Sequence, residues 1–235
     1  MPRKSQPAQA VERRSPRQAR SLAKLELMFE AAIRILENEE LGAFTTNRIA
    51  AVAGVSIGTL YQYFPDRDAL LVALVKREID ATFERLATLK AAAERAPPAD
   101  ASGTGDIVHA PAPGRALDAR IRGAVHIMVN ALGGRLHARR RLLLALARSG
   151  HAAVLDDEIL RHGLAFMAPA DTEGGASAFG LPKLDFMQAF VLARAVSGTL
   201  RAALLHDANL LQDPRFEDAL CALIRGYLVQ HDAGA

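Results

Sequence analysis

Thr45-Thr46-Asn47 and, shortly after, Ser56-Ile57-Gly58-Thr59-Leu60-Tyr61-Gln62-Tyr63 bring together the side chains of this chain best suited to specific chemistry. That chemistry is nucleic-acid recognition. A threonine methyl can touch a thymine methyl, an Asn or Gln amide can pair bidentately with adenine, and Ser, Thr and Tyr hydroxyls can contact phosphate oxygens. The segment is too short to recognise anything unless it is held rigidly, so the elements around it decide the reading.

The spacing predicts two short helices joined by a tight turn. Thr45 is the expected N-cap of a helix over 46–53, whose apolar face is Ile49, Ala50, Val52 and Ala53, with two alanines small enough for close packing. Gly54 is placed to end it in a left-handed conformation that costs a glycine nothing. Val55 plugs the angle between the helices, and Ser56 caps a second helix over about 57–63. Two turns of helix are not stable alone. Leu60 and Phe64, at i and i+4, are the expected anchors, which leaves Thr59, Tyr61, Gln62 and Tyr63 for the surface. Two helices with a glycine turn read as a helix-turn-helix that can enter a major groove.

From about Arg17 to Ile79 the chain resembles the DNA-binding domain of the TetR family of one-component transcriptional regulators. The resemblance rests on the joint spacing of Thr45-Thr46, Ile49-Ala50, Ala53-Gly54-Val55-Ser56, Gly58-Thr59-Leu60-Tyr61, Tyr63-Phe64 and Asp66-Arg67-Asp68-Ala69-Leu70. It implies base reading by Ile57, Gly58 and Thr59, with Asn47 a further candidate, and phosphate binding by Thr46, Tyr61 and Tyr63. Thr45, Ser56 and Gln62 fall within the same surface, the role of Gln62 being open between DNA contact and solvation.

Arg67 adds a physical hint. It stands in the first turn of a helix capped by Asp66, where a cation opposes the helix dipole. A DNA phosphate at that helix end would compensate, as the resemblance also implies. The alternative is a surface ion pair with Asp68 or another nearby carboxylate, worth little.

The bracing elements follow from helical periodicity. Leu22, Leu25, Phe29, Ala32, Ile33 and Leu36 predict a first helix over about 21–38, leaving at Gly42. After Pro65, residues 66–93 predict one long helix with Leu70, Leu71, Leu74, Val75, Ile79, Phe83 and Leu86 inward. Breaker-rich stretches at 96–114 and 169–182 divide the remainder into helices near 116–133, 136–149, 153–168, 184–207 and 214–231, the last opening on Asp213-Pro214. The fold class expected is all-α: a basic disordered tail over 1–20, an N-terminal three-helix helix-turn-helix domain over 21–65, and a larger helical effector-binding and dimerisation domain over 66–235.

Composition supports this organisation. The chain has 235 residues, half of them hydrophobic, and a net charge of +3. Residues 1–20 carry six basic residues (Arg3, Lys4, Arg13, Arg14, Arg17, Arg20) against Glu12, hence +5, so the rest sums to −2. Such an arm either adds phosphate contacts or is simply solvated. No apolar run approaches the ~20 residues of a membrane span, and the N-terminus lacks a signal-peptide core. The expected location is cytoplasmic, without membrane contact. A single cysteine, Cys221, forms no disulfide framework or zinc spacing and reads as a small buried hydrophobe.

The last two helices carry Phe186, Phe190, Ala193, Ser197, Leu200 and Leu204, then Phe216, Leu220, Leu223, Ile224 and Tyr227. Two such helices per subunit can form a four-helix homodimer interface, as the resemblance implies, or can close the monomer's own core. Among the middle helices Phe83, Met128, Phe166, Met167 and Phe190 have the size and softness to line a pocket for a small apolar or aromatic effector.

An enzyme is the competing class. His151, Asp156, Asp157, Glu158 and His162 are the one local cluster of acid–base or metal-ligand types, but their spacing fits no motif, and an Asp157–Arg161 ion pair with acids near a helix start accounts for them. Arg139-Arg140-Arg141 reads as a solvated helix face. No catalytic residue, cofactor or metal is expected. The reading is a sequence-specific regulator, a homodimer on a palindromic double-stranded operator, released by a ligand. A dimeric DNA-binding protein without effector is the alternative.

Overall fold

The computed structural model describes residues 16–95, 113–133, 135–168 and 184–232, and every regular element among them is helical. In chain order these are α1 (Pro16–Asn38), α2 (Thr46–Ala53), α3 (Ile57–Tyr63), α4 (Arg67–Arg95), α5 (Pro113–Gly133), α6 (Leu136–Arg148), α7 (Ala152–Met167), α8 (Phe186–His206) and α9 (Pro214–Asp232). Short 3-10 turns lie at Leu41–Ala43 and Ala208–Gln212, the second unanticipated from sequence.

Most boundaries fall within a few residues of expectation, with two corrections in the first helix. It starts at Pro16, a residue favoured at the first helical position, so Arg17 and Arg20 belong to α1 and not to a disordered tail. It stops at Asn38, and Gly42 lies inside the 3-10 turn that follows. Residues 1–15, 96–112 and 169–183 lie outside the described residues; these cover the breaker-rich stretch 169–182 and all of 96–114 except Pro113 and Gly114, which begin α5.

Two left-handed glycines punctuate the helices. Gly54 (φ 68°) ends α2, with Val55 N donating to Ala50 O at 3.0 Å; Gly150 (φ 76°) ends α6, with His151 N donating to Leu146 O at 3.0 Å. Each pattern satisfies otherwise orphaned helix carbonyls, and a side chain at either φ would be strained.

Two apolar cores result. The first joins α1, α2 and α3 to the first half of α4 and to α6: Met28, Ile35, Leu36, Ile49, Leu60, Leu70, Leu74 and Leu146 are all almost fully buried. Met28 and Ile35, not Leu22, fill the inner side of α1, and Leu22 is exposed. The second core packs α5, α8 and α9 on the far half of α4 through Leu86, Val125, Leu200, Leu204, Leu220 and Leu228.

α6 is stitched to α1 by reciprocal capping. Glu37 Oε2 accepts from Ala138 N at 2.6 Å, serving an otherwise unpaired N–H in the first turn of α6. Arg141 Nη1 in return donates to the carbonyls of Leu36 (3.0 Å), Glu37 (3.3 Å) and Glu39 (2.6 Å) at the end of α1. The Arg139-Arg140-Arg141 run is therefore not a solvated face: Arg140 is exposed, but Arg141 caps a helix and Arg139 pairs with Glu78 at 2.5 Å.

Candidate DNA-binding surface and the cavity behind it

The helix-turn-helix is built by local capping. Thr45 Oγ1 accepts from Arg48 N at 3.2 Å, Ser56 Oγ from Thr59 N at 3.0 Å, and Asp66 Oδ1 from Ala69 N at 2.7 Å. Each cap of this kind is worth about 1 kcal/mol. Leu60 and Phe64 pin the two-turn α3 from beneath, and Phe64 meets Phe29 of α1 with ring centroids 5.8 Å apart. Ser56 Oγ lies 2.9 Å from Thr59 Oγ1 as well, so the two hydroxyls at the start of α3 are hydrogen-bonded to each other.

Outward from this anchor, Asn47, Ile57, Gly58, Tyr61 and Gln62 are exposed, and Thr45 and Ser56 with them; Thr46 and Thr59 are half-buried. Ile57 stands out as an aliphatic side chain left facing solvent at the start of α3. Thr46 Oγ1 and Tyr61 Oη lie 3.3 Å apart, bringing the N-terminus of α2 and the middle of α3 onto one hydroxyl-bearing surface.

Beyond this Thr46–Tyr61 contact, the other two expected phosphate ligands have protein partners as well. Tyr63 is half-buried, its hydroxyl 2.8 Å from Ser21 Oγ and donating to Ser21 O at 3.3 Å, so it ties α3 to α1. Arg67 pairs with Asp68 (Nη2–Oδ1 3.0 Å), an exposed pair of little strength that a phosphate can outcompete. Sequence reasoning passed over Arg48. Its guanidinium grips both oxygens of Glu39 (2.8 to 3.2 Å), and that contact holds the Glu39 carboxyl below its ordinary range.

Behind this domain, where the two cores meet, lies a cavity of about 230 Å³. Phe83, Met128, Phe166 and Met167 line it; Phe190 is not among the lining residues and tilts against Phe186 with centroids 6.2 Å apart. α7 has no buried residue because its apolar face, Leu155, Ile159, Phe166 and Met167, fronts this space. Five lining residues are polar: Glu78 and Thr82 on α4, Arg139 on α6, Ser197 and Arg201 on α8.

The acid and histidine cluster of α7 is parcelled out among neighbours. Asp156 Oδ1 takes both Arg201 (2.5 Å) and Arg194 (3.2 Å), His162 meets Asp80 at 2.8 Å and stacks on Phe83, and His151 meets Ser149. Arg161 pairs with Glu158, one turn away, and not with Asp157. Glu158 also holds Lys76 of α4 at 2.7 Å, and hydrogen bonds from Lys76 and then Arg161 bring its pKa down to about 2. Among the described residues no group of three or more His, Cys, Asp or Glu is placed to hold a metal ion, and none of the helices is long and apolar enough to cross a membrane. Cys221 is half-buried, and desolvation pushes its thiol up.

A helix-turn-helix braced by α1 and followed by a long helix that runs back to a cavity is a DNA-binding type of architecture. Residues 29–74 match the family model described as bacterial regulatory proteins, tetR family, so the segment holding the helix-turn-helix is similar to the DNA-binding domain of that family. Solved structures share the fold over 87% to 89% of the chain. The multidrug binding protein EbrR complexed with imidazole is 18% identical, with 87% of this chain and 94% of that chain covered and a TM-score of 0.56. A TetR transcriptional regulator from Rhodococcus sp. RHA1 is 19% identical (88% and 98% covered, TM-score 0.50). The transcriptional regulator FadR from Bacillus subtilis in complex with stearoyl-CoA is 17% identical (89% and 98%, TM-score 0.50). Among curated proteins no match is found.

Proposed function

We propose that this chain is a homodimeric repressor that binds a near-palindromic operator and is released when a small apolar molecule enters the cavity between α4, α6, α7 and α8. The observation that carries the reading is the continuity of α4. Its first residues support the recognition helix, and Val75, Ile79, Phe83 and Leu86 further along it line the cavity. A ligand that spreads the cavity acts on the helix that sets the spacing of two recognition helices. The reciprocal caps between α1 and α6 give a second route, because Arg139 and Leu142 on α6 also line the cavity.

Ile57, Gly58 and Thr59, with Asn47, are the base readers in this account. Thr46, Tyr61 and Arg67 hold phosphates, and Tyr63 fixes α3 unless it exchanges Ser21 for phosphate. The dimer forms through α8 and α9, whose outward faces are apolar and small: Met187, Val191 and Ala202 on one, Ala222, Leu223, Gly226 and Val229 on the other, all exposed. A surface of that kind on two neighbouring helices favours a four-helix interface about a two-fold axis. The neighbours that bind imidazole and stearoyl-CoA support a ligand-binding role for the corresponding domain. No membrane association enters this account, and the working site is the cytoplasm.

Selection of bound fragments from the source genome tests the proposal. The expected product is a two-fold symmetric site whose half-sites lie about 34–36 Å apart, one or more helical turns; recovery of no common sequence by folded protein contradicts it.

A further inference from the structure

We infer that the cavity is built for an apolar molecule carrying one carboxylate, and that Arg201 of α8 is the group that reads it. The inference rests on the effector reading proposed above and narrows it to a chemical class.

The charged residues that line the cavity, Glu78, Arg139 and Arg201, belong to two ion-pair clusters of different balance. On the α4 and α6 side, Glu78 Oε1 takes Arg77 at 2.9 Å and Glu78 Oε2 takes Arg139 at 2.5 Å; Arg77 further meets Glu26 and Glu30, and Glu30 meets Arg135. Three arginines face three glutamates, so this cluster is balanced in charge, although Arg139 Nε within it is buried without a hydrogen-bond partner.

On the α7 and α8 side, Arg194 and Arg201 converge on the same oxygen of a single carboxylate, Asp156 Oδ1. Two cations share one anion. Arg201 lines the cavity, and Asp156 accepts only one of the five N–H groups in its guanidinium. Ser197, one helical turn earlier and on the same face of α8, lines the cavity too. Its hydroxyl makes only a long 3.5 Å contact with the carbonyl of Arg194.

A carboxylate at this point would balance the cluster, and its second oxygen could accept from Ser197. A planar guanidinium fork matches a carboxylate better than any neutral group. A cationic ligand would face an excess of positive charge there, and the one acid lining the cavity, Glu78, is already held by two arginines. The apolar remainder of the cavity sets the other end of the ligand. Since a dry cavity of ~150 Å³ admits benzene, about 230 Å³ suits one aromatic ring with a short chain.

Three isosteric probes separate the possibilities in titration calorimetry on the full chain at fixed salt and pH 7.5: 4-phenylbutyrate, 4-phenylbutyramide and 4-phenylbutylamine. The expected order is carboxylate tightest, amide weaker by about tenfold or more, amine weakest. Arg201→Gln removes the preference of carboxylate over amide, and Arg201→Lys restores part of it; Arg194 still holds Asp156 in both variants, and their melting temperatures without ligand check the fold. An amide that binds as well as the carboxylate, or a preference that survives Arg201→Gln, overturns the inference and leaves the apolar-effector reading standing. Failure of all three probes to bind overturns that reading as well.

Discussion

Arg141 donates to the carbonyl of Glu39 at 2.6 Å, closing the end of α1 with a cation that α6 supplies. The same guanidinium nitrogen reaches Leu36 and Glu37, while Glu37 caps α6 in return, so the helix that braces the recognition unit and a helix that lines the cavity share their end groups. Removing the guanidinium leaves part-buried carbonyls without their donor, a loss of about 1–3 kcal/mol. Arg141→Met should therefore lower the unfolding free energy by that amount, read as a lower denaturant midpoint with an unchanged slope. An unchanged midpoint would separate α6 from the stability of α1.

The Lys76–Glu158–Arg161 cluster predicts a pH dependence. The Glu158 carboxyl sits at about 2 in the fold, against an ordinary value near 4.3 in an unfolded chain. A depressed carboxylate stabilises the fold fully above the unfolded value, and the contribution disappears as pH falls from about 4.3 toward 2. Glu158→Gln should cost on the order of 1 kcal/mol at pH 7, since Lys76 is half exposed and the pair is screened, and progressively less as pH falls toward the folded pKa, vanishing below it. Thermal unfolding of both proteins across that range checks the convergence. Curves that stay parallel would remove Glu158 from the linkage.

On the recognition surface, Thr59→Ala should reduce affinity for the selected site by ~1–3 kcal/mol and leave unrelated DNA nearly unaffected, as a base reader does. Tyr61→Phe should weaken both to a similar degree, because a phosphate contact carries no sequence. Quantitative binding to the selected and a scrambled site at one salt concentration distinguishes the two patterns. Equal losses for Thr59→Ala would move it out of base readout.

Outward-facing Val191 and Val229 provide the test of the dimer. The double substitution Val191→Asp, Val229→Asp places charges in the proposed apolar interface, where an unpaired carboxylate is expensive, and should give a folded monomer by sedimentation velocity at micromolar concentration. A dimer unchanged by both substitutions would place the interface elsewhere.

The helix-turn-helix was legible in the sequence because its determinants are local. Thr45, Gly54, Ser56 and Asp66 each act within three or four residues of themselves, and each does in the structure what its type and position suggest. The errors arose where a partner is remote. Arg139 and Arg141 looked solvated because their partners, Glu78 and the end of α1, lie 61 to about 105 residues away. Leu22 fitted the helical period of α1 and still faces outward, since Met28 and Ile35 fill the core that α6 completes. Phe190 had the right size for the cavity but the wrong side of α8. Size and softness identify candidates for a cavity; only the packing angles of α4, α7 and α8 decide which of them reach it. Arg201, the most informative polar group there, had no local signal at all.

The central claim is sequence-specific binding to DNA by this helix-turn-helix, and a competition measurement addresses it most directly. Affinity for the selected operator and for a scrambled duplex of equal length is determined with the purified chain at one physiological salt concentration. The account predicts operator binding at least about a thousandfold tighter than scrambled, with two chains per site. Equal affinity for both duplexes by a folded protein would contradict it.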